Sequence, residues 1–134
     1  MENKTLFVFV FAAMLLAACQ QKIKPSLLYG KWKYIKLEHP KSDGSSDTLT
    51  TTELNAADPY ISFTPENQLM ISWEGKIISH GTFNTDAHDI IYTEQLPDST
   101  SRTFPFFVSR LDGKTLIFET LDKKDAARVT AIKN

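Results

Sequence analysis

Turn-forming residues interrupt this chain about every ten residues from Lys31 onward, and the segments between them alternate as strands do. The segments are Lys31–Glu38, Tyr60–Thr64, Gln68–Glu74, Lys76–Asn84, Asp89–Gln95, Arg102–Leu111, Thr115–Leu121 and Ala127–Lys133. Pro65-Glu66-Asn67, Gly75, Thr85–His88, Pro97-Asp98-Ser99, the hairpin pair Asp112-Gly113 and Asp122–Asp125 separate them. In the first segment Trp32, Tyr34 and Lys36 share one face and Lys33, Ile35 and Leu37 the other. Nowhere after Ser26 do apolar residues recur at a helical period for ten residues. Short helical turns at Pro25–Tyr29 and Asp122–Ala127 are the only helical candidates, and the polar stretch His39–Asp58 reads as one long loop. The expectation is an all-β domain over residues 27–134. Eight antiparallel strands in chain order suit an up-and-down barrel, which leaves no open sheet edge. A two-sheet sandwich is the rival, because alternation does not distinguish a closed sheet from an open one.

The N-terminus is of another kind. A charged start with Lys4 precedes an unbroken apolar run, Leu6–Ala18, then Cys19. As a helix that run is about 20 Å long, against about 30 Å of bilayer hydrocarbon, and it lacks the polar stripe of a helix docked on a domain. Residues 1–18 therefore read as a signal helix removed on secretion. Leu16-Ala17-Ala18-Cys19 resembles the lipobox of bacterial lipoproteins, which implies that Cys19 carries the lipid. That accounts for a lone cysteine in an exported chain. The resemblance also implies several acyl chains, enough for stable anchoring. Gln20 and Gln21 follow, with neither an aspartate nor an acidic cluster. By the same resemblance this implies the outer membrane, facing the periplasm. Residues 19–26 are expected to be a polar, lipidated tether.

Gly30-x-Trp32, preceded by Leu27 and Leu28, resembles the opening motif of lipocalins. Ile61-x-Phe63 and Gly81-x-Phe83 are similar to segments of the compact lipocalin-like domains in lipoproteins of Bacteroides and relatives. The resemblance implies an eight-stranded barrel in which Gly30 permits a tight turn and Trp32 plugs one end. It also implies a basic side chain of the last strand across that indole, here Arg128, worth about 0.5–2 kcal/mol. These three residues are then structural. The chain is shorter than full lipocalins and lacks their C-terminal helix.

Phe63, Trp73, Phe83, Tyr92, Phe106 and Phe118 fall on strands and are the candidate barrel lining. They read equally well as a pocket for a small apolar molecule and as rings that fill a narrow barrel. Pro105, inside Phe104-Pro105-Phe106-Phe107, is expected at a bulge. His39, His80 and His88 lie in different segments without ligand spacing, so no metal is expected. No catalytic motif is present, the sole cysteine is assigned to lipid, and neither enzyme activity nor a cofactor is expected. Charges nearly cancel, 15 Lys and Arg against 16 Asp and Glu, with no basic cluster for nucleic acid. The expected function is binding of a small apolar or amphipathic ligand in the barrel, with His39–Asp58 where lipocalins carry a lid. The alternative is an envelope interaction module or inhibitor with a filled barrel, whose protein partner is not indicated.

Overall fold

A computed structural model describes residues 22–40, 49–120 and 126–134. The signal helix expected at 1–18, Cys19, the first part of the expected tether, the middle of the stretch expected as a long loop and the turn expected at Asp122–Asp125 lie outside the described residues. Eight strands follow in order: β1 (Gly30–Glu38), β2 (Tyr60–Phe63), β3 (Gln68–Trp73), β4 (Lys76–Asp86), β5 (Asp89–Gln95), β6 (Ser101–Leu111), β7 (Thr115–Thr120) and β8 (Arg128–Lys133). Each pairs antiparallel with its neighbour, and β1 pairs with β8 from Trp32↔Lys133 to Glu38↔Arg128, closing the barrel. The sandwich is excluded by that seam.

One end of the barrel is sealed. A 3-10 turn at Pro25–Leu27 delivers Leu28, which is fully buried beside the fully buried Trp32. The indole Nε1–H donates to the Leu28 carbonyl at 2.7 Å, so the buried donor is satisfied. Gly30 adopts φ +124°, and a Cβ there would meet Lys133 Cε at 2.9 Å. Lys133 crosses that space, its ammonium 4.7 Å from the Trp32 ring, and it donates to the Tyr29 carbonyl. This corrects the expectation for Arg128. Because β8 runs antiparallel to β1, the last residue of β8, not the first, lies opposite Trp32. Arg128 sits at the far end of the seam and donates to Glu119 at 2.7 Å.

Three one-residue bulges modify the alternation. Ile35, Ile78 and Ser109 have no partner in the registers of β1–β8, β3–β4 and β6–β7. The first turns Lys36 outward and Leu37 inward, reversing the sequence expectation. Pro105 is not at a bulge. It pairs in register with Ile91, and the ladder to β7 begins only at Phe106↔Thr120, so proline occupies a stretch with one laddered neighbour.

The long loop contains a helix, α1 (Thr51–Ala57), where none was expected. Thr50 Oγ1 caps it, accepting from Glu53 N–H at 3.2 Å, and Asp58 ends it in the left-handed region. Leu54 and Ala57 are buried and the other residues of the helix exposed, so α1 packs onto the end opposite the Trp32 plug. The Ala57 carbonyl accepts from Glu74 N–H at 2.8 Å, tying α1 to the two-residue turn Glu74–Gly75. Both turn residues have positive φ, the geometry that suits a tight hairpin.

Candidate functional site

Inward-facing positions form one continuous core. Phe63 and Phe83 lie toward the sealed end with their rings edge to face at 5.0 Å. An aromatic column continues upward. Tyr34 meets Phe118 at 6.3 Å, Phe118 meets Phe106 at 5.1 Å, and Phe106 meets Tyr92 at 5.7 Å and Phe104 at 5.4 Å. Phe63, Phe83, Tyr92, Phe106 and Phe118 are all buried, whereas Trp73, at the end of β3, is partly exposed. All six candidate lining residues thus pack into the core, with Trp73 the one of them that keeps exposed surface, at the far end.

A polar cluster meets this column. Alternation along β5 puts Ile90, Tyr92 and Glu94 on the inner face, so a carboxylate follows two large apolar groups inside the wall. Ser79 reaches it from β4 and Arg102 from β6, directly opposite Glu94 in the ladder. Ser79 Oγ lies 2.6 Å from the Tyr92 hydroxyl and donates to Glu94 Oε2. A serine has one proton to give, so the Tyr92 hydroxyl donates to Ser79. Arg102 Nε donates to Glu94 Oε1 at 2.6 Å, and its guanidinium lies 5.3 Å from the Phe104 ring. Glu94 is buried, while the Arg102 side chain keeps 64% of its surface exposed. Burial, and then the charge of Glu94, raise the Tyr92 phenol above its ordinary value. Burial, and then Tyr92, push the Tyr34 phenol further up. Both rings therefore stay neutral and act as apolar wall with polar tips.

This arrangement offers an apolar ring surface, an ion pair held by its neighbours, and guanidinium nitrogens beyond the one given to Glu94. Ser79, Glu94 and Arg102 escaped the sequence reading. The signal was there: alternation through Ile90-x-Tyr92-x-Glu94 predicts an inward carboxylate, and folding about Pro97–Ser99 sets Arg102 across from it.

Concavities also lie on the outer surface of the described residues. One of about 540 Å³ runs over Met70, Ile77, His80 and Thr82, on the outward face of β3 and β4. Another, about 170 Å³, lies between Lys22, Ile23, Leu27, His88 and Arg110 beside the sealed end. His39, His80 and His88 stand at the end of β1, on the outer face of β4 and in the β4–β5 turn. Among the described residues no three His, Cys, Asp or Glu side chains gather as metal ligands would.

No family model and no curated protein matches the chain. Among solved structures, a lipocalin-like protein from Bacteroides uniformis is similar, with a TM-score of 0.56 and 16% identity over 81% of this chain and 99% of that one. The likeness agrees with the closed eight-stranded antiparallel barrel, and the fold is lipocalin-like.

Proposed function

We propose that a lipocalin-like barrel serves here as a binding protein for a small amphipathic molecule, held at the far end of the barrel rather than deep within it. The observation that carries this reading is the meeting of the aromatic column with Ser79, Tyr92, Glu94 and Arg102. Small-molecule sites combine apolar walls with a few convergent polar groups. The ligand's apolar part would lie along Phe104 and Trp73, and its polar part would meet Arg102. No catalytic role, cofactor or nucleic-acid partner belongs to this proposal. The sequence features Leu6–Ala18 and Leu16-Ala17-Ala18-Cys19 support its second half: a secreted lipoprotein, anchored through Cys19 in the outer membrane and facing the periplasm.

The test is titration of the mature Cys19→Ser chain with an apolar fluorophore carrying an anionic group. Saturable binding, weakened by Trp73→Ala and by Arg102→Ala, is expected. Absence of saturation, together with no effect of either substitution, sinks the reading. One observation favours a different role. Ile77 and Ile78 are 57% and 60% exposed, and Ile77 borders the larger outer groove. A protein partner seated there would make the barrel an interaction module, and crosslinking in intact cells should then recover one dominant partner.

A further inference from the structure

The part of the expected tether that is described is docked on the barrel. Ile23 N–H donates to the Ala87 carbonyl at 2.9 Å, and Thr85 Oγ1 donates to the Ile23 carbonyl at 3.2 Å. The Ile23 side chain packs against the core, and Leu28 is fully buried. The chain is therefore fastened to the β4–β5 turn at the sealed end, and Lys22 marks where it leaves the barrel. Only Gln20 and Gln21 separate Lys22 from Cys19, so three Cα steps allow a reach of about 11 Å. β4 has 11 residues, and at the usual barrel tilt it rises about 25–30 Å, well beyond that reach.

From this we infer that the sealed end rests on the phospholipid surface and the Ser79–Glu94–Arg102 end points away from it. The inference rests on lipidation of Cys19. The short leash sets the contact, and the charges at that end are mixed: Lys22, Lys24, Lys31, Arg110, Lys114 and Lys133 share it with Glu66, Asp86, Asp89 and Asp112. Leu27, 53% exposed beside Lys22, is the apolar side chain that meets the headgroup layer. A site facing away from the anchoring membrane loads from the aqueous compartment, or from a carrier within it, rather than from the bilayer underneath.

The experiment uses the lipidated full-length product, purified from a bacterial host and reconstituted in phosphatidylcholine–phosphatidylglycerol vesicles containing brominated lipid. Trp73→Phe removes the indole at the far end, and Leu27→Trp or Ile77→Trp is added to it. Trp32 is common to both variants, so their difference reports the two added positions. The expected result is that Leu27→Trp loses emission in brominated vesicles and Ile77→Trp does not. Equal quenching, or stronger quenching of Ile77→Trp, overturns the orientation. Amine acetylation of the unsubstituted protein gives a second reading. Lys22, Lys24 and Lys114 should be shielded in vesicles relative to detergent while Lys76 is not, and equal shielding overturns the orientation as well. Absence of acyl mass on Cys19 overturns the anchor and the orientation together, whereas acylation with equal quenching overturns the orientation alone.

Discussion

The two ends of this barrel use tryptophan in opposite ways. At one end Trp32 has no exposed surface, its N–H is satisfied by Leu28, and Lys133 lies over its face. At the other, Trp73 is partly exposed, and the polar residues nearby bond to one another rather than to the backbone. The first arrangement is closed in every direction, which suits a structural plug. The second leaves the Arg102 side chain and part of one indole accessible, which a plug does not need. Burial with satisfied donors marks the stabilising end, and convergence with residual exposure marks the end that has something left to bind.

The sharpest way to break this contrast is truncation of both indoles. Trp32→Ala should cost about 3–5 kcal/mol in urea denaturation, as large-to-small changes in a packed core do. Trp73→Ala should cost clearly less while weakening fluorophore binding, and equal costs would erase the distinction. Next in size is Gly81→Ala, because a Cβ there would come 1.9 Å from the Thr93 carbonyl oxygen. The β4–β5 ladder would have to move beside Glu94, at about 1–3 kcal/mol, read as a lower denaturation midpoint.

Alkaline pH gives a third handle. The Tyr34 phenol is held above its ordinary value of 10.0 by burial first and by Tyr92 second. The unfolded chain therefore gives up that proton at lower pH than the native one. Its stabilisation is intact below pH 10 and is lost as pH rises from there toward the native value, at up to about 1.4 kcal/mol per pH unit. Midpoints measured from pH 9 upward should fall, and Tyr34→Phe should flatten the fall. A midpoint insensitive to pH in both proteins would refute the assignment.

A smaller effect is expected of Glu94→Gln, which retains a group able to accept from Ser79 but removes the charge facing Arg102. Stability should change by under about 1 kcal/mol, since Arg102 is largely exposed, while affinity for an anionic fluorophore should rise. Of similar size, Lys133→Met should cost about 0.5–1 kcal/mol by removing the cation from the Trp32 face and the donor to the Tyr29 carbonyl.

Alternation and turn chemistry carried the eight strands and their order into the sequence, because half-buried strands must place every second residue inside. What they could not carry was any event that changes the count by one. The extra residue at Ile35 turned Lys36 outward, and those at Ile78 and Ser109 shifted the pairing beyond them in the same way. Helix α1 was hidden in a threonine-rich stretch, since seven residues with two buried positions give no periodicity to detect. Its cap, Thr50-x-x-Glu53, is a sequence signal that went unread. The basic partner of Trp32 was assigned to the wrong end of β8 because closure, unlike strand order, sets which residues meet across the seam. Of the candidate lining, Trp73 reaches the far end, and the Glu94–Arg102 pair went unread because its members looked like ordinary hairpin polarity.

The β1–β8 seam joins Trp32 to Lys133, two positions separated by nearly the whole described chain. A polypeptide emerging in order can pair one edge of β1 with β2 early, but has nothing for its other edge until β8 arrives. Until then the early strand shows a bare edge and an unroofed indole, a state that invites association with other chains. The ring closes only when β8, the last of the described strands, docks on that edge.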